Sequence, residues 1–328
     1  MKSDNPYEDI SQVISMDLRE MDHIKNKRGY TFISDSMIGQ TTVKDPKIIY
    51  DWGCGSGFST LALSRKFPEA MIYALDVSPL SIMALNYKLG RSNADLSGLV
   101  GENIISSEQA TSLHKFWQSF EDVRSSKIII LERDLLQPFT DFRKADLIFS
   151  SQVIHWIYNQ QKEAGLKQIM NNAIDLMNVG GEFVFSTFST FCEPVGSGPQ
   201  YMSHPLYIGF FSELLKELNN QGHDAEIRDK VPPMDADKYK KIINSSGLTL
   251  TDKRDISTRY SIETFISATY KSAPGVRGVF DGVEISNDEK KKLIELARKR
   301  AIANYSPDEK DSRVEFSIAP SFCCRKVR

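Results

Sequence analysis

Between residues 47 and 190 the chain repeats one pattern. A short apolar run of strand length is followed by a turn, then by a segment with apolar residues at helical spacing. The spacing predicts strands at 47–51, 70–75, 127–131, 145–149 and 182–188. Helices are predicted at 57–67, 79–90 and 166–177, the last closed by Gly180-Gly181. Ser78 before Pro79 is a good start signal for the second of these, since Pro suits the first helical position. Strands alternating with helices predict a doubly wound, mostly parallel sheet with right-handed crossovers.

Outside that frame the pattern is less regular. An N-terminal helix is expected over about Tyr7–His23, with Ile10, Val13, Ile14 and Leu18 on one face, and Arg28-Gly29-Tyr30 interrupting it. Residues 91–126 are too long for an ordinary connection. Leu113, Phe116, Trp117 and Phe120 at i, i+3, i+4 and i+7 predict an amphipathic helix there, its stripe packed on the core. After Thr190 the segment Cys192–Pro205 is rich in Gly, Ser and Pro, and Leu206–Leu218 reads as a helix. Tyr239–Asn244 and Leu248–Leu250 look like a return to the sheet. Helices follow at Ser261–Tyr270 and Asp288–Ala303, and Val314–Val327 reads as a long final strand. The expected division is a helical lid segment (1–45), a core (46–190, with an insert at 91–126), a cap (191–234), a return to the sheet (235–260), a helical cap (261–312) and a last strand (313–328).

The chemistry is densest at the end of the first strand, Ile48-Ile49-Tyr50-Asp51-Trp52-Gly53-Cys54-Gly55-Ser56-Gly57. Glycines at alternate positions before a helix allow positive φ and a close ligand, next to free N–H groups and a partial positive charge. The dinucleotide fingerprint G-x-G-x-x-G/A fails here, because Phe58 or Thr60 falls at its last position. No Gly-Lys-Ser/Thr follows, which excludes the phosphate-binding Walker loop. What the stretch does match is Asp-x-Gly-x-Gly-x-Gly, and in this it resembles the class I S-adenosylmethionine-dependent methyltransferases.

That resemblance implies a seven-stranded Rossmann-like sheet with a helical cap, and S-adenosylmethionine as cofactor. Asp51, Gly53, Cys54, Gly55 and Gly57 then border its amino-acid end. Asp76, nineteen residues after Gly57, stands where an acid takes ribose hydroxyls, with Val77 beside it. Asp134-Leu135-Leu136-Gln137-Pro138-Phe139 is similar to the family's Asp-x-Leu-x-x-Pro-Phe segment, which assigns Asp134, and more weakly Leu135, to the adenine. Ser150 completes the set and Tyr30 is a lid candidate.

The net charge of −2 and the sequence pI of about 6.3 offer no basic field for nucleic acid or an anionic membrane. Cys54, Cys192, Cys323 and Cys324 lack zinc-site spacing, and the expectation is a reducing, cytoplasmic setting without signal peptide or membrane span. No Asn-Pro-Pro-Tyr, Asp-Pro-Pro-Tyr or Pro-Cys nucleophile is present, so nucleic-acid base methylation is not expected. The fourth-strand turn holds Ser-Ser-Gln rather than clustered acids, which gives a magnesium site little support.

Ile154-His155-Trp156-Ile157 instead resembles the His-Trp or Gln-Trp pair of small-molecule carboxyl methyltransferases, the trans-aconitate, malonyl-carrier-protein and juvenile-hormone-acid enzymes. Ser150, Ser151 and Trp156 keep the spacing of the plant salicylate-type enzymes. The C-terminal layout, with Glu263, Phe265, Tyr305 and Pro307, is loosely similar to the trans-aconitate group. The expected acceptor is a small or carrier-bound acid, its carboxylate held by the Trp156 indole N–H and a donor from His155 or Gln152. A carrier protein would need a basic patch, for which Lys291–Arg300 is the dense candidate. Two alternatives stand beside this. One is a hydroxyl or amine acceptor with His155 as base; the other is a catalytically silent cofactor-binding protein.

Overall fold

The computed structural model describes residues 13–14, 16–18, 20–21, 29–92, 96–101, 105–123, 127–187, 194–195, 198–199, 205–223, 236–261, 280, 283–304 and 313–327. By contact density the chain falls into two units. One comprises 1–187, 240–256 and 319–328, and the other 188–239 with 257–318.

The first unit holds the sheet, apart from residues 257–261 and 313–318 of its last two strands. Its strands are β1 Ile48–Trp52, β2 Met71–Asp76, β3 Ile128–Glu132, β4 Ala145–Ser150, β5 Met177–Ser186, β6 Leu248–Ser261 and β7 Arg313–Lys326, in spatial order 3-2-1-4-5-7-6. β1 to β5 pair in parallel, while β7 runs antiparallel to β5 with Glu182 opposite Arg325. All five residues of β1 are buried, as expected for a central strand covered on both faces. The strand order reverses beside β1, which puts the crevice for a ligand beyond the carboxyl ends of β1, β2 and β4.

Helices α1 Gly29–Ile38, α2 Phe58–Lys66, α3 Pro79–Lys88, α4 Ser97–Gly101, α5 Ser107–Gln118 and α6 Ile154–Leu176 accompany the sheet. Residues 13–14, 16–18 and 20–21 are also helical; the remainder of the expected 7–23 helix lies outside the described residues. α1 runs through the stretch read from sequence as an interruption. Its start signal is distant: the Glu20 carboxylate accepts from the N–H groups of Tyr30 (2.9 Å) and Thr31 (2.7 Å), ten and eleven residues on. Glu20 thereby does the work of an N-cap from a separate segment.

In the insertion, α5 opens with a capping box between Ser106 and Gln109. Leu113, Trp117 and Phe120 are buried, as the stripe predicts. A second departure concerns α6, which begins at Ile154 and not near 166, with a break at Lys162 (φ 54, ψ −145). His155 and Trp156 therefore lie in the first turn of a helix rather than in a loop. β5 likewise starts at Met177, and Gly180 (φ 82) and a register shift near Ala145 absorb the glycine pair inside the strand.

In the second unit, α7 Pro205–Asn220 packs against α9 Asn287–Asn304. Phe211, Leu214 and Leu218 on α7 are buried, as are Leu293, Ala297 and Ala301 on α9. Three basic residues of α9 have acidic partners: Lys291 with Asp288 (3.8 Å), Arg298 with Glu295 (2.7 Å), and Arg300 with Glu213 and Glu217. The expected solvated basic face is thus partly neutralised. α8 Ala236–Ser245 leads into β6. Ser261, the expected start of the helix 261–270, instead ends β6; residues 262–270 of that helix, with Cys192, Glu263, Phe265, Tyr305 and Pro307, lie outside the described residues. Among the described residues no helix is long and apolar enough to cross a membrane.

Candidate active site

The β1–α2 turn takes positive φ at Gly53 (69°), Gly55 (52°) and Gly57 (98°), which a side chain disfavours. The three glycines serve different needs. A Cβ on Gly53 would stand 2.3 Å from Val153 Cγ2, and one on Gly57 would stand 2.3 Å from Leu85 Cδ1. A Cβ on Gly55 would meet nothing within 4 Å. Gly53 and Gly57 are thus required by packing, and Gly55 leaves backbone open to a cavity.

Asp51 stands behind the turn. It is fully buried and accepts hydrogen bonds from Ser59 Oγ (2.7 Å) and Thr60 Oγ1 (2.5 Å) in the first turn of α2. Burial pushes its carboxyl up to about 6 despite those two bonds. It fastens the helix to the strand and is not part of the cavity wall, so its expected direct contact with cofactor is not available in this conformation.

Asp76 closes the second strand. Its carboxylate accepts from Gly55 N–H (2.8 Å) and Ser78 N–H (2.9 Å), which ties the glycine turn to the β2–α3 turn. Burial raises its pKa, and the bonds from Ser78, Gly55 and Val77 offset part of that rise. Val77 beside it is 59% exposed, an apolar side chain held open at the cavity. At the third strand end Asp134 Oδ1 accepts from Leu136 N–H (2.9 Å), while Asn172 Nδ2 donates to the Leu135 carbonyl (2.7 Å).

The fourth strand end is arranged differently. Ser150 Oγ donates to the Trp52 carbonyl (3.0 Å), so Ser150 binds β4 to β1 and lies outside the cavity wall. Gln152 has φ 62, an uncommon conformation for a residue with a side chain. It is held there from β5: its N–H and Nε2 both donate to Ser186 Oγ (3.1 Å each), and Nε2 also donates to the Thr187 carbonyl (3.2 Å). Both amide hydrogens are therefore committed to the protein, and Gln152 cannot be the carboxylate donor expected of it. His155 is 1% exposed and outside the cavity wall, and burial pushes its pKa down to about 3. At neutral pH it is an uncharged core histidine, too weakly basic and too enclosed for a general base. Trp156, its neighbour on the helix, does line the cavity.

The cavity measures about 460 Å³, within the range of small-molecule sites. Of the residues singled out from sequence, Tyr30, Gly53, Cys54, Gly55, Asp76, Val77, Asp134, Leu135, Gln152 and Trp156 line it; Asp51, Gly57, Ser150 and His155 stand behind it. Met16, Ser34, Ser56, Arg133, Val153, Gln160 and Gln161 also line it and carried no local signal. Arg133 stacks its guanidinium over Phe139 (4.9 Å) and Phe142 (4.8 Å). Among the described residues no group of His, Cys, Asp or Glu is placed to hold a metal ion.

The wall fits S-adenosylmethionine. Open backbone at Gly55 suits its amino-acid end, carboxylates at two neighbouring strand ends suit hydroxyl and amino donors, and exposed Val77 offers an apolar face for a base. Among the described residues that line the cavity Arg133 is the one cation, where a phosphate would call for a cluster.

No family model matches the chain. Over 140 residues it is 27% identical to malonyl-(acyl-carrier protein) O-methyltransferase 1 of Ilyobacter polytropus, a match covering 43% of this chain and 37% of that protein. The chain thus spans little more than a third of the length of that curated relative. Among solved structures, geranyl diphosphate C-methyltransferase of Streptomyces coelicolor A3(2) superposes with a TM-score of 0.44 at 13% identity, covering 100% of this chain and 86% of that one. YcgJ of Bacillus subtilis superposes with a TM-score of 0.45 at 12% identity, covering 90% and 98%. In its parallel sheet closed by one antiparallel strand, its three-glycine turn after β1 and the acids at its next two strand ends, the chain is similar to the class I S-adenosylmethionine-dependent methyltransferases.

Proposed function

We propose that the protein transfers a methyl group from S-adenosylmethionine to a carboxylate oxygen of a small or carrier-bound acid. When bound, S-adenosylmethionine supplies an electrophilic methyl on a sulfonium. The protein's part is to bind, orient and exclude water. Gly55 and Asp76 meet the cofactor, and Val77 and Asp134 border its nucleoside end.

The observation that carries the choice of acceptor is the chemistry of the wall beyond β4. Ser151, Gln152, Val153, Trp156, Ile157, Gln160 and Gln161 are neutral at physiological pH. The acidic members of the wall, Asp76 and Asp134, belong to the second and third strand ends. A hydroxyl or amine acceptor needs a proton removed, and His155 is enclosed behind the wall. A carboxylate arrives ionised and needs no base. The Trp156 indole N–H donates only, which suits an anion, and the Ser151 hydroxyl is the second donor in place of Gln152. The name of the Ilyobacter relative, which specifies an O-methyltransferase of a malonyl carrier, is consistent with this acceptor class.

The test is transfer of labelled methyl from the cofactor to a panel of free and carrier-bound acids, followed by mild base. Methyl esters release the label as methanol. Base-stable label would replace the reading with a hydroxyl or amine acceptor, and tight cofactor binding without any transfer would favour a silent binding protein.

A further inference from the structure

Under the glycine turn lies a charged cluster that the proposed reaction does not use. Lys88, the last residue of α3, and Asp17, in the N-terminal helical segment, are each 0% exposed, with Nζ and Oδ2 2.6 Å apart. Every polar atom of the pair is engaged with a different part of the first unit. Lys88 Nζ also donates to the Ser56 carbonyl (2.7 Å) and lies 4.5 Å from the Phe58 ring centroid. Asp17 Oδ1 accepts from Ser56 Oγ (2.7 Å), and Oδ2 accepts from Trp117 Nε1 (2.7 Å) of the insertion helix. Ser56 is thus gripped at both its carbonyl and its hydroxyl, between the two glycines Gly55 and Gly57.

The flanking residues reach the cavity. Ser56 and Phe58 line it from the turn, Met16 lines it from the residue before Asp17, and Tyr30 lines it from the helix that Glu20 caps one turn further on. Apolar packing follows the same route, with Ile14, Ile105, Leu113 and Trp117 forming one buried cluster.

A buried ion pair is weak evidence for stability, because desolvation offsets most of the attraction. Its value here lies in register. Burial lowers the Lys88 pKa and Asp17 opposes that shift, so the ammonium depends on the N-terminal segment being in place.

We infer that Lys88 and Asp17 are positioning residues for cofactor binding: through Ser56 they set the backbone of the glycine turn, and they make the N-terminal segment and the 91–126 insertion working parts of the cofactor site. This rests on the cofactor reading given above. Without the pair the turn keeps its glycines but loses the clamp that fixes where its N–H groups and carbonyls face. The Met16–Tyr30 side of the cavity then comes free of it.

The experiment compares full-length wild type with Lys88→Met, the double variant Asp17→Asn/Lys88→Met and Trp117→Phe. Three quantities are read: the dissociation constant of S-adenosylhomocysteine by calorimetry, the melting temperature without ligand, and the KM of each substrate. Lys88→Met leaves a buried carboxylate uncompensated, so both affinity and melting temperature fall. The double variant removes both charges and recovers the melting temperature, yet its affinity stays weakened by about tenfold or more, a difference of one decade in the binding constant. Trp117→Phe keeps the packing and deletes one donor, raising the constant by a few fold. In every variant KM for the cofactor rises while KM for the acceptor stays put. Recovery of affinity together with melting temperature in the double variant would reduce the pair to a structural role and overturn the inference, as would unchanged affinity in all three. Failure of wild type itself to bind the ligand would instead overturn the cofactor reading.

Discussion

The two halves of the cavity are built on opposite plans. At the end of β1 the cavity is lined by backbone exposed at Gly55, braced from the end of β2 by the Asp76 carboxylate, which accepts from Gly55 and Ser78. At the end of β4 they are side chains on a strained turn, held by Ser186 and Thr187 from the next strand. Backbone recognition needs a particular chain path, which a contiguous motif can encode. Side-chain recognition needs neighbours that the sequence does not place side by side. The first half is accordingly encoded by a contiguous motif, and the second by contacts between separate strands.

The largest contrast is expected within the glycine turn. Gly57→Val meets Leu85 in a positive-φ position and should destabilise the fold by about 3 kcal/mol or more, the sum of left-handed strain and overpacking. Gly55→Ala meets no protein atom and should lose only the strain, about 1 kcal/mol, while cofactor affinity falls by more than the stability change accounts for. Melting curves with and without S-adenosylhomocysteine separate the two; equal behaviour would erase the distinction between packing glycine and ligand glycine.

Next in size, Trp156→Phe keeps the ring and removes the N–H. Acceptor KM should rise about tenfold, near the lower end of the range for a hydrogen bond to a charged group, with cofactor affinity unchanged. A parallel loss of both would mean that the two halves are not separable.

Smaller effects concern pH. With His155 buried and its pKa held near 3 by burial, the rate should show no inflection near 6.5 once both substrates saturate. An inflection there that disappears in His155→Gln would restore it as a base. For stability, two acids pull in opposite directions. Burial pushes Glu182 up, but bonds from Arg325, Thr42 and Thr41 outweigh it and bring the group down to about 2 from 4.5. Its contribution is therefore present above pH 4.5 and is lost as pH falls towards 2. Asp51, raised from 3.8 to about 6 by burial, makes the fold more stable as pH drops from 6 to 3.8. Glu182→Gln should flatten the acid limb of the stability curve, and Asp51→Asn the limb above it.

The sheet and the glycine turn were legible because hydrophobic period, glycine spacing and strand-end acids are local signals. The insertion stripe at Leu113, Trp117 and Phe120 was legible for the same reason. What could not be read depends on groups far apart in the chain. The start of α1 is set by Glu20, the conformation of Gln152 by Ser186, and the Ser56 clamp by Asp17, Lys88 and Trp117. His155 shows the limit from the other side. Its place beside Trp156 drew it into the site, while the helix beginning at Ile154 turns its ring into the core.

Calorimetric titration of S-adenosylhomocysteine into the full-length protein, repeated with ATP and NAD as competitors, probes the strand-end cavity most directly. Saturable one-to-one binding, undisturbed by either phosphate-bearing nucleotide and weakened by Gly55→Ala without unfolding, is the expected result. Absence of heat with the thioether nucleoside, together with clear binding of ATP or NAD, would contradict the assignment of this cavity.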